Sequence, residues 1–245
     1  MSEMLDRMYK PDGKNLALML WGQAGSGKTV FLEQTTKQFL IKDKDPDMRI
    51  FYISPKNEGF EFLDEIHFDL DKAFSAILKS RAVAYYPGMD DLESNVDDAI
   101  EGIFELQGSN PDAKFTIIID DAQIFLSSRR SASDAHKRLA LTGRSRKIKA
   151  IYVSHNIVFS RELEGQVDTL IGFNNPNPLY YRSAIERYGF DPEPHADDLR
   201  SREYSFVWVD LRSGTDQLMN PIDISQKLEP KLEIKEDRAD SYSLN

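Results

Sequence analysis

The stretch WGQAGSGKTV, residues 21–30, decides how this chain is read. Gly22, Gly27, Lys28 and Thr29 stand at the Walker A spacing G-x-x-x-x-G-K-[ST]. Glycines at 22, 25 and 27 predict left-handed backbone angles that a side chain disfavours. Successive N–H groups then turn inward into an anion nest, and the positive end of the next helix faces the same point. Residues Gly22, Gln23, Ala24, Gly25, Ser26, Gly27, Lys28, Thr29 and Val30 are thus the candidate phosphate cradle. Lys28 is placed to reach β- and γ-phosphates, and Thr29 to put its hydroxyl on Mg²⁺. ATP with Mg²⁺ is the expected ligand.

The flanks agree with a strand–loop–helix unit. NLALMLW (15–21) is a short apolar run suited to a buried strand. The following TVFLEQTTKQFLIK predicts a helix with Val30, Phe31, Leu32, Phe39, Leu40 and Ile41 as its buried face.

Apolar runs alternate with helical stretches along the rest of the chain. Strands are expected at 48–54, 81–87, 115–121, 148–156 and 166–174, with a late one within 201–214. Helices are expected within 62–80, 97–107 and 133–143, the last ending at Gly143, and in LYYRSAIERYGF. This pattern predicts an α/β fold of the P-loop NTPase type. Its central sheet is mostly parallel, in the RecA/FtsK manner, with helices on both faces. Residues 1–224 read as one domain. The polar, charged run 225–245 reads as a flexible tail, or an arm that orders on a partner.

Composition narrows the classes. The 245 residues contain no cysteine, which excludes disulfides and Cys-ligated metals. No apolar run approaches the length of a membrane span, and MSEMLDRMYKPDGK has no signal-like core. A soluble intracellular protein is expected. The formal net charge of −10 argues against a surface coated all over by nucleic acid, yet allows a local basic face.

Three further stretches carry chemistry. FTIIIDD (115–121) has the Walker B form, a buried strand that delivers an acid to its end. Asp120 is the candidate Mg²⁺ partner beside Thr29. Asp121 is the candidate base for the attacking water, the alternative being a structural role. IYVSHN brings Ser154, His155 and Asn156 to the carboxyl end of the next strand, where open α/β sheets bind ligands. His155 or Asn156 there can sense the γ-phosphate; a satisfied, partly buried imidazole is the other reading. Between 129 and 149 lie Arg129, Arg130, Lys137, Arg138, Arg144, Arg146, Lys147 and Lys149, against one acid, Asp134. Such a stretch fits polynucleotide phosphates, an arginine finger given to a neighbouring subunit with Arg144 the choice, or a solvated basic face.

Taken together, GQAGSGKT, IIIDD, SPK (54–56) and the GRSRK turn before AIYVSHN resemble the HerA/FtsK superfamily of P-loop ATPases. More narrowly they resemble the genome-packaging ATPases of double-jelly-roll viruses. The resemblance covers roughly residues 14–215 and departs at two places. The family's sensor Gln is replaced by His155, and its Asp before Pro-Lys by Ser54. It implies an ATPase that translocates DNA, double-stranded viral genome in the first place, into a preformed capsid. It further implies a homo-oligomeric ring, hexamer or pentamer, with Arg144 given in trans, capsid vertex proteins as partners, and residence in the host cytoplasm and at the packaging vertex. An AAA-type ATPase or a non-packaging assembly ATPase is the alternative. The first of these needs a helical lid where VDTLIGF and YSFVWVDL read as strands.

Overall fold

The computed structural model describes residues 2–11, 17–56, 60, 62–124, 126, 131–157, 159–220 and 235–236. Ten strands, among them β3 (Glu65–His67), β4 (Ala82–Tyr85) and β10 (Lys235–Glu236), form one sheet in the order β10-β3-β4-β2-β5-β6-β1-β7-β8-β9. The strands that matter for the site are β1 (Ala17–Trp21), β2 (Met48–Ile53), β5 (Lys114–Ile119), β6 (Ile148–Ser154) and β7 (Val167–Gly172). From β10 through β7 every pairing is parallel; β8 (Phe206–Asp210) and β9 (Thr215–Met219) run antiparallel at one edge. Among the described residues no helix is long and apolar enough to cross a membrane.

The near-continuous apolar strands follow from burial on both faces. In β5, Phe115, Ile117 and Ile119 enter one core, while Ile118 enters the other. In β1, Met19 and Trp21 alternate with Leu18 and Leu20 in the same way. One face is covered by α1 (Ser2–Tyr9) and α2 (Lys28–Lys42), through Leu5, Met8, Phe31, Leu32 and Phe39. The other is covered by α3 (Leu70–Ile77), α4 (Leu92–Ser109), α5 (Asp134–Thr142), α6 (Arg161–Glu164), α7 (Pro178–Tyr188) and α8 (Ala196–Ser201).

Several expectations are corrected. Stretch 62–80 is not one helix: β3 (Glu65–His67) precedes α3, and Asp69 caps α3 by accepting the N–H of Lys72. The buried side of α2 adds Thr35 and Thr36 to Phe31, Leu32 and Phe39; Leu40 packs at its margin, Val30 is half-buried and Ile41 is exposed. Both threonine hydroxyls meet the Tyr9 hydroxyl, at 2.7 and 2.8 Å, so they are buried because α1 supplies a partner. Lys149 does not belong to a basic surface. It is 1% exposed and donates to the carbonyl of Arg7, at 2.5 Å. Thr116 Oγ1 donates likewise to the carbonyl of Tyr9. Two strands thus satisfy the last carbonyls of α1. The tail reading for 225–245 falls outside the described residues, apart from 235–236, which pair with β3 as β10.

Gly143 follows the last residue of α5, but it makes no left-handed turn; the position excludes a side chain by crowding. Its φ is −52°, and an added Cβ would lie 2.5 Å from the Leu139 carbonyl oxygen and 2.8 Å from that of Ile148. Both obstacles are backbone. Gly143→Ala is therefore expected to destabilise by about 1–3 kcal/mol, although alanine is the better helix former. A lower urea midpoint at unchanged slope is the readout; an unchanged midpoint refutes the crowding.

Candidate functional site

Parallel register brings four strand ends to one edge. Trp21 pairs with Ser154, Ile119 with Tyr152, and Ile53 with Ile119. The residues that follow these ends are the phosphate loop, Ser54–Lys56, Asp120–Asp121 and His155. They meet because β6 lies between β1 and β5. A cavity of about 320 Å³ is lined by residues 24–30, Lys56, Asp120, Asp121, His155 and Tyr204.

The loop has the backbone its glycines predict at two positions, with φ of 73° at Gly25 and 101° at Gly27. Gly22 is needed for another reason. A Cβ there would lie 2.6 Å from Ser26 Oγ and 2.7 Å from Phe173 Cβ. No side chain caps the start of α2, which leaves its first N–H groups to the cavity. The Lys28 ammonium donates to the carbonyls of Gly22 (2.7 Å) and Gln23 (2.9 Å). Thr29 is exposed at the cavity wall. These donors fit a polyphosphate, and Thr29 with Asp120 fits the hydroxyl-and-carboxylate share of a Mg²⁺ shell completed by phosphate and water.

The two acids are held differently. Asp120 is nearly buried; it accepts the Tyr52 hydroxyl at 2.8 Å and the N–H of Asp121 at 2.8 Å. Burial raises its pKa against those hydrogen bonds. Asp121 has a left-handed backbone, φ 48°. Its carboxylate takes Lys56 Nζ at 2.6 Å and Gln123 Nε2 at 2.9 Å. Burial pushes its pKa up, but these two bonds outweigh it and bring the group below its usual value.

His155 joins the two halves. Its Nδ1 lies 3.3 Å from Lys28 Nζ and its Nε2 3.4 Å from Asp121 Oδ1. Burial, then the charge of Lys28, lowers its pKa, which favours the neutral ring. An ammonium only donates and a carboxylate only accepts. The neutral ring therefore accepts at Nδ1 and carries its proton on Nε2. Gln123 Oε1 accepts the backbone N–H of His155 at 3.2 Å, tying this strand end to Asp121. Asn156 instead bonds through its backbone to Ser154 Oγ, at 2.9 Å.

The structure brings together the loop, Asp120, Asp121 and His155, and leaves Arg144 apart. Arg144 lies in a short 3-10 turn, Arg144–Arg146, ahead of β6, at the opposite edge of the sheet. The length of β6 separates it from the cavity by roughly 20 Å. Of the basic stretch, Arg129 and Arg130 lie outside the described residues. Lys137 pairs with Asp134, Arg138 with Glu101, and Lys147 with Asp112. Arg144 and Arg146 are exposed. Lys56, Gln123, Tyr52 and Tyr204 were not foreseen as site residues. The SPK stretch held a signal for Lys56; the other three become visible only in space.

A phosphate loop, an acidic strand end and a third strand between them define a P-loop NTPase fold with a mostly parallel sheet. Solved structures bear this out. The genome packaging NTPase B204 of Sulfolobus turreted icosahedral virus 2, in complex with AMPPCP, is 16% identical. That match covers 85% of this chain and 98% of B204, with a TM-score of 0.66. The sulfate complex of B204 gives 0.71 at 15% identity. VirB4 of Thermoanaerobacter pseudethanolicus gives 0.61 at 9% identity, over 85% of this chain and 90% of its own. The cytoplasmic domain of the Type VII secretion ATPase EccC of Thermomonospora curvata gives 0.60 at 13%, over 87% and 26%. No family model and no curated protein matches the sequence.

The state of Lys28 gives a pH test. Burial lowers its pKa to about 8, against the pull of Asp120 and Asp121. Below that pH the ammonium is already charged; above it the group must take up a proton to pair with phosphate. Affinity for ATP is expected to fall as pH rises past about 8, by up to about tenfold per unit. Calorimetry in buffers of different ionisation heat should detect proton uptake on the alkaline side. A flat profile with no uptake refutes the assignment.

Proposed function

We propose that this chain hydrolyses ATP and couples hydrolysis to translocation of double-stranded DNA, as a viral genome-packaging motor. The observation that carries the reading is the likeness to B204 over nearly the whole of that chain, 98%. The geometry of the cavity supports the chemistry. Lys28 moves from the loop carbonyls onto the β- and γ-phosphates. Thr29 and Asp120 would hold Mg²⁺, which would neutralise phosphate charge. Asp121, released from Lys56, orients a water and takes its proton as the water oxygen attacks the γ-phosphorus. The bond to the β–γ bridging oxygen breaks, leaving ADP and phosphate.

His155 stands where the resembling family has Gln. A neutral imidazole with its proton on Nε2 offers one acceptor and one donor, as a Gln amide does. The same coupling between γ-phosphate and strand end is therefore available to it. His155→Gln is expected to keep most turnover and His155→Ala to lose it. Equal loss in both rejects the sensor role.

The working unit is read as a closed ring of identical subunits, hexamer or pentamer, in which Arg144 serves the site of a neighbour. Its distance from the cavity of its own subunit suits service in trans. Capsid vertex proteins would anchor the ring, during assembly in the host cytoplasm and in the virion. A second reading, an ATPase of secretion, is favoured by the likeness to EccC. The AAA-type alternative is disfavoured because the chain after β6 returns to the sheet as β7, β8 and β9.

The deciding measurement is ATP turnover with and without double-stranded DNA across a salt series. Stimulation that salt erases is the expected result; turnover indifferent to DNA at every salt rejects the motor in favour of the secretion reading. Asp121→Asn is expected to bind ATP and lose about 10²–10⁴ in turnover. Arg144→Ala should be inactive alone and recover activity when mixed with Asp121→Asn subunits. No recovery rejects the finger in trans.

A further inference from the structure

The cavity has two flanks with different chemistry. Sheet order puts β2, β5 and β6 on one side of β1 and β7 and β8 on the other. The charged groups Lys56, Asp120, Asp121 and His155 all come from the first side. Tyr204 lines the same cavity from the second, just ahead of β8. Its backbone takes a positive φ of 62°, a region an aromatic residue rarely occupies. Its ring lies on the phosphate loop: a Cβ at Gly27 would sit 2.5 Å from Tyr204 Cδ1. Gly27 thus serves a second purpose, leaving room for this ring.

The backbone that carries the ring is anchored by its two following residues. Ser205 bonds back to the Arg202 carbonyl through its N–H (3.1 Å) and its hydroxyl (2.8 Å). Phe206 is buried and meets Phe31 of α2 edge-on, at 4.7 Å and 65°, and Phe173 at 5.8 Å. The chain at Tyr204 is therefore tied to the helix that follows the loop. Strain of this kind persists only when the surroundings over-determine it, and it concentrates where a ligand is clamped.

We propose that Tyr204 is the stacking platform for the base of the bound nucleoside triphosphate. The proposal rests on the reading of the loop as a triphosphate site. A triphosphate whose γ end lies at Asp121 and His155 points its nucleoside end away from them, towards the β7–β8 flank where Tyr204 stands. A ring face stacks on any base, and the larger purines gain most.

The test compares ATP with inorganic tripolyphosphate, both with Mg²⁺, on wild type, Tyr204→Ala and Tyr204→Phe by calorimetry. Tyr204→Ala is expected to weaken ATP roughly ten- to a hundredfold and leave tripolyphosphate unchanged. Tyr204→Phe, which keeps the ring, should bind both like wild type. Tripolyphosphate binding also reports that each variant is folded. Unchanged ATP affinity in Tyr204→Ala overturns the platform. So does an equal loss for both ligands, which would make Tyr204 part of the phosphate cradle or of the fold. Wild type that binds neither ligand overturns the triphosphate reading itself, and the platform with it.

Discussion

The placement of β6 between β1 and β5 is the constraint on which the site depends. With all three strands parallel and in register, their carboxyl ends open on one edge. Lys28, at the start of α2 just past β1, and Asp121, just past β5, are then two strands apart, too far to touch. His155, at the end of the strand between them, fills the gap with one ring. Were β5 next to β1, that ring would have no position between ammonium and carboxylate. Each strand from β4 to β7 is apolar because it contributes side chains to the core on both faces of the sheet.

The charged groups of the site are paired among themselves. Lys28 rests on two loop carbonyls and Asp121 on Lys56 and Gln123. Each buried charge has a partner of opposite sign or a dipole, as buried charges require. A polyphosphate therefore does not meet bare charges. It exchanges with partners already in place, and Lys56, half-exposed on its flexible stem, can follow the γ-phosphate as it leaves Asp121.

Much of this was legible in the sequence, and the failures have physical causes. The loop and the acidic strand end are local patterns whose spacing dictates their chemistry. Buried parallel strands announce themselves by apolar runs. β3 escaped because three residues with charged neighbours carry no period of their own. Lys149 was taken for a surface cation because its partner, a carbonyl of α1, is remote in sequence. Gln123 and Tyr204 are ordinary polar and aromatic residues until β6 and the loop are laid beside them. Gly22, Gly27 and Gly143 were recognised as glycines that matter, but crowding by Phe173, Tyr204 and two carbonyls is a tertiary fact.

The clamp on α1 has a consequence for how the chain reaches this state. Tyr9, Arg7 and Lys149 join the N-terminal helix to partners 26, 107, 142 and 203 residues downstream. Eight residues of helix are too few to persist alone in water. The helix has nothing to dock on until α2, β5 and β6 exist, and its ion pair with Asp210 waits for β8. Although early in the chain, α1 is thus among the last elements to be fixed. Docking α1 therefore carries the closure cost of long loops, a cost that grows only slowly with their length.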